Sequence, residues 1–186
     1  MTDELWNAVT MAPGVVLGMW EVSKFASVQS TCVIAPMAYI MACFVAAAFH
    51  THVYLNRGKI ANVVYLRSDM MAQLVTCAAT VIHTPFGMNG VIFVAGCAMA
   101  SCSLDLRRSA NVAYAINGVC FVVSSGVVPL VVYGWWCVTF VLFLVNGVVP
   151  NPWSHAGFHV AVDVTLHEVW RHMRCDCVIK ADKLIS

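Results

Sequence analysis

Charge is missing from three long stretches of this chain, residues 25–56, 70–104 and 109–162, and that absence limits its fold more than any other feature. A helix needs about 20 apolar residues to cross the hydrocarbon core of a bilayer. The first two gaps each hold at least one such span, and the third holds more than one. Helices satisfy their own backbone N–H and C=O groups within the segment, which is why lipid selects them. A composition of 61% hydrophobic and 10% charged residues agrees, being far more apolar than an ordinary soluble domain. The expected fold class is therefore all-α, a polytopic membrane bundle of six or seven transmembrane helices.

Turn-forming residues and charges divide the gaps. "NRGKIANVVYLR", "TPFGMNG", "DLRRS", "SSGVVP" and "VVPNPW" each carry the Gly, Pro, Asn or charge of a connection. They predict spans over 31–54, 69–86, 87–104, 110–127, 129–149 and 153–172. Residues 1–30 open with acids and reach an apolar part, Met11 to Trp20, that is short and interrupted by Pro13 and Gly14. This is neither a secretory signal nor an Arg-rich transit peptide, and it reads as an interfacial or re-entrant segment. A transmembrane helical domain, 31–174, and a C-terminal tail, 175–186, complete the division.

The formal net charge of +1 and the lack of a basic run give no sign of a nucleic-acid partner, so membrane lipids are the expected surroundings. Nine cysteines, scattered mostly through apolar segments, make no disulfide framework. The basic residues divide evenly, with Arg57, Lys59, Arg67, Arg107 and Arg108 on one face and Lys24, Arg171, Arg174, Lys180 and Lys183 on the other. Charge bias therefore sets no orientation.

Within the last span, His155, His159, Asp163 and His167 recur at every fourth residue. On a helix that spacing makes one slowly turning polar stripe. Six crossings place His50, Asp69, His155 and His159 near the same membrane face. Histidines at i and i+4 present both rings to one point, as in many helical zinc sites, and His50 is the candidate third ligand. Each histidine taken singly could instead hydrogen-bond a backbone carbonyl near the interface; their shared face favours a metal. His52, two residues past His50, points away on a helix. Asp163 and His167 read either as hydrogen bonds to a neighbouring helix or as part of a proton path. Haem ligation by His50 or His83 with His159 is a rival use of the same rings.

"AAAFHTHVYLNRG", then "RSDMMAQ", "HTPF" at 83–86 and finally "SHAGFHV" resemble the signature of a superfamily of seven-helix membrane hydrolases. It comprises the alkaline ceramidases, the progestin and adiponectin receptors and the hemolysin-III-like proteins. The resemblance implies zinc held by His50, His155 and His159, with Asp69 as the catalytic acid/base or the group orienting the attacking water. It also implies a lipid amide as substrate. This sequence departs from the pattern at two places. Ala46 stands where the family has Ser, and residues 6–28, short in apolar length and carrying Glu21 and Lys24, offer no clear counterpart of the first family helix. The departures favour an accessory, non-catalytic subunit of a larger membrane complex with protein partners, in a host such as the mitochondrial inner membrane or the endoplasmic reticulum. The alternative is an active zinc-dependent lipid amidase.

Overall fold

The computed structural model describes residues 2–27, 31–57, 59, 63–83, 87–103, 130–148 and 151–185. Among them the regular elements are all helical: α1 (Thr2–Val9), α2 (Met11–Ser27), α3 (Ile34–Leu55), α4 (Val63–Val81), α5 (Gly87–Ser103), α6 (Leu130–Val148) and α7 (Pro152–Ile185). A single 3-10 turn, Thr31–Val33, leads into α3. The expected all-α class holds. Helices α3, α5 and α6 begin and end within a turn of the segments read as 31–54, 87–104 and 129–149. The span predicted over 110–127 lies outside the described residues. One helix among the described residues, Ile34–Leu55, is long and apolar enough to cross a membrane by length and composition.

Local chemistry fixes the helix ends that matter for the site. Pro36 falls in the first turn of α3, where its missing N–H has no intrahelical partner to lose. After Leu55 the Asn56 side chain donates to the carbonyl of His52 (2.7 Å), and Arg57 takes the left-handed conformation at φ 56°. At the start of α7, the Asn151 Oδ1 accepts from the backbone N–H of Ser154 at 2.8 Å. Pro152 occupies the first helical position, so "NPWS" is a capped start that sets the angular phase of the His155 and His159 rings.

α3 packs against α1, α2 and α4, α7 against α1, α2 and α6, and α5 lies on α4. α3 and α7 meet through long side chains: His50 reaches His155 and His159, and the Tyr39 ring stands edge-on to Trp170 at 5.5 Å. Phe25, Cys32, Ala35, Val132, Val169 and Trp170 form an apolar core shared by α2, α3, α6 and α7. A smaller cluster, Leu74, Val81 and Val94, joins α4 to α5.

Helix runs through both ends of the described chain. The N-terminal segment folds into two helices, and α2 buries Met11, Gly14, Gly18, Glu21 and Phe25 along one stripe against α3 and α7. Glu21, which made the stretch look unfit for the interior, is completely buried, and the neighbouring helix supplies its partners: His167 Nδ1 lies 2.8 Å from Oε1, and the Arg174 guanidinium meets Oε2. At the other end α7 continues as helix to Ile185, through the residues expected to form a tail.

Gly14 and Gly18 are what bring α2 so close. A Cβ at Gly18 would lie 2.5 Å from Ile40 Cγ1 and 3.3 Å from the Pro36 carbonyl oxygen. At Gly14 it would lie 2.7 Å from both Asp163 Oδ1 and Cys43 Sγ. Small residues four apart permit this approach of helix backbones. Gly18→Val is therefore expected to destabilise the protein by about 1–3 kcal/mol through overpacking. Thermal unfolding in detergent checks this, with Val16→Ala, on the exposed side of α2, as a control expected to leave the midpoint near wild type.

Candidate metal centre

Three imidazoles converge where α3 faces the first two turns of α7. The His50 ring centroid lies 5.1 Å from that of His155 and 5.5 Å from that of His159, and the latter two are 4.7 Å apart. One nitrogen from each ring can be chosen so that all three lie within 4.8 Å of one another, an arrangement able to hold a metal ion. Zinc–nitrogen bonds of about 2.1 Å in tetrahedral geometry place two ligands about 3.4 Å apart, so the rings need to close by at most about 1.4 Å around an ion. The buried Nε2 of His159 has no hydrogen-bond partner, a costly condition for an imidazole that a metal would relieve. The donor set and the orphaned nitrogen both fit a metal of the zinc type.

Around this core stand two carboxylates. Asp69 is buried in the second turn of α4, close enough to His50 for their charges to interact. Its Oδ2 accepts from Gln73 Nε2 at 3.2 Å, whereas its Oδ1 is buried without a hydrogen-bond partner. The second carboxylate, Glu4 of α1, has no counterpart in the sequence reading. Its Oε2 lies 2.7 Å from His50 Nδ1. Burial pushes the Glu4 carboxyl up. The hydrogen bond and charge of His50 outweigh this, with smaller help from the Asn7 side chain and the charge of His155, and hold it below its ordinary range.

The three histidines expected at the site thus meet between α3 and α7, while Asp69 is buried on the neighbouring α4. His52 points elsewhere, its ring stacked on Tyr65 at 4.3 Å. The lower half of the stripe pairs with other helices, as the hydrogen-bonding alternative required: Asp163 Oδ1 accepts from the Tyr39 hydroxyl, and His167 pairs with Glu21. Ala46 is buried one turn before His50, packed with Met11 and Cys43.

Haem does not fit. Here His159 and His155 stand 5.5 and 5.1 Å from His50, with His155 beside both of the others, so that three rings meet at one point. His83 follows the far end of α4, about 20 Å along the helix direction from Asp69 at 1.5 Å per residue. What the three rings enclose suits a compact ion. Comparisons with protein-family models, with curated proteins and with solved structures gave no match to this chain.

Proposed function

We propose that the chain is a polytopic membrane protein, a divergent relative of the ceramidase and hemolysin-III-like hydrolases, that holds zinc at His50, His155 and His159 and hydrolyses a lipid amide. The observation that carries this reading is the donor set. Among the described residues the metal cluster has three ligands, and three protein ligands with an open fourth position are the pattern of catalytic rather than structural zinc. Outward-facing apolar residues support the lipid surroundings: Met41 and Phe44 on α3, Ile92 on α5, and Val141 and Leu144 on α6 are all exposed. Exposed among the described residues, such faces suit acyl chains.

Zinc in this position would supply Lewis acidity and lower the pKa of a water towards about 7. Asp69 is suited to the proton traffic, because Gln73 fixes one carboxylate oxygen while the other stays open. As general base it would take the proton of the attacking water, and as general acid return it to the departing amide nitrogen. His50, His155 and His159 come from two helices, so their mutual geometry depends on the packing of α1 and α2 between them.

A second reading is favoured by Ala46, which offers no hydroxyl where the resembling family has one. On that reading the site is retained for structure in an accessory subunit of a larger membrane assembly. Ala46→Ser separates the two. If the chain is an enzyme working without that hydroxyl, restoring it is expected to raise lipid-amide turnover by about 10- to 100-fold, the usual weight of a supporting group at a metal site, with zinc content unchanged. Turnover absent from both proteins, together with stoichiometric partners after mild-detergent purification, would support the accessory reading and sink the enzymatic one.

A further inference from the structure

We infer that the N-terminal helix completes the metal centre, with Glu4 serving as the positioning residue that orients His50. The inference rests on the proposed metal site and extends it to a helix that its ligand pattern does not include. Glu4 Oε2 lies 2.7 Å from His50 Nδ1, so the carboxylate accepts the Nδ1–H and leaves Nε2 of the same ring with its lone pair free to ligate. Metal-binding histidines commonly donate their second ring N–H to a carboxylate in this way, which fixes the tautomer, holds the ring angle and raises ligand basicity. Glu4 does not belong to the ligand cluster itself. It acts on one histidine from behind.

The setting of the carboxylate fits that role. The Glu4 side chain is 29% exposed while His50 is 6% exposed, so α1 forms the outer wall of an otherwise interior ring. Asn7, one turn along α1 and buried, hydrogen-bonds Glu4 and steadies its rotamer. α1 packs on both α3 and α7, the two helices that carry the ligands. A carboxylate placed there stabilises the arrangement in which all three rings point inwards. It also makes metal affinity depend on the docking of a helix of eight residues.

The test is zinc affinity of the full-length protein in detergent, measured by competition with a chelating dye, with the visible spectrum of the cobalt-substituted protein as a second readout. Glu4→Ala is expected to weaken zinc binding by about 10- to 100-fold. Glu4→Gln, which keeps an oxygen acceptor of the same shape without the charge, should recover part of that loss. Both variants should perturb the cobalt ligand-field bands, because the His50 ring is no longer held at one angle. Leu5→Ala, at an exposed position of the same helix, is expected to retain wild-type affinity and spectrum. Wild-type affinity in Glu4→Ala would overturn the inference, and so would an equal loss in Leu5→Ala, since the carboxylate would then have no special part. A wild-type protein that binds no zinc would overturn the metal reading itself, and this inference with it.

Discussion

Replacing His155 and His159 together with alanine is expected to take zinc from one ion per chain to background, and lipid-amide turnover with it. Both rings come from one face of α7 and His50 alone remains opposite them, so the double variant keeps one ligand of three. A lone imidazole does not hold zinc against water. The helix should survive, because the Asn151 cap and the Pro152 start lie outside the substitution and neither ring is needed to close the turn. Elemental analysis of purified protein beside its circular dichroism spectrum makes the measurement. His52→Ala is the matched control: its ring stacks on Tyr65, and its loss should leave the zinc in place. Zinc persisting in the double variant would move the metal to another site and end the three-histidine proposal.

The parts of this molecule that announce themselves in the sequence are those with a local period. Absence of charge, cut by the Gly, Pro and Asn of the connections, marked α3, α5 and α6 almost to their ends, because a long apolar run has few options besides a helix. The i, i+4 pair at His155 and His159 carried its own geometry, and His50 could be set opposite it. Glu4 left no such trace. It sits in a short terminal helix and touches a residue 46 positions away, and one acid near a chain end is indistinguishable from a solvated one until the tertiary fold pairs it. The α2 stripe misled for a related reason. Pro13, Gly14 and Glu21 looked like interruptions of an apolar segment, but the glycines are the close approach to α3 and the acid is neutralised by residues of α7. Propensity describes a helix alone; here the neighbouring helix decided the outcome.

The buried acid gives the largest expected effect on stability. Glu21 is completely buried between His167 and Arg174, whose side chains are 33% and 19% exposed, so it is the least hydrated member of the cluster and the one that joins the other two. Glu21→Leu is expected to destabilise the protein by about 3–5 kcal/mol, because it removes the buried carboxylate on which His167 and the Arg174 guanidinium both converge, while the transfer of Leu itself is favourable. The same logic sets the sign for the combined variant. Removing all three polar groups at once, as Glu21→Leu/His167→Leu/Arg174→Met, takes away both sides of the ion pair and should recover most of the loss, since buried ion pairs replaced by apolar groups of similar volume are often neutral or better. Thermal unfolding of the single and triple variants in one detergent decides it. If the triple variant is no more stable than Glu21→Leu, the cluster contributes through specific geometry between α2 and α7, and not mainly by neutralising a buried charge. The metal centre supplies an internal check, because α1 and α2 both bridge the helices that carry its ligands. Glu21→Leu should therefore weaken zinc binding as α2 loosens, and the triple variant should bring affinity back alongside stability. Recovery of stability without recovery of zinc would mean that the angle between α3 and α7, and not the strength of their attachment, is what Glu21 controls.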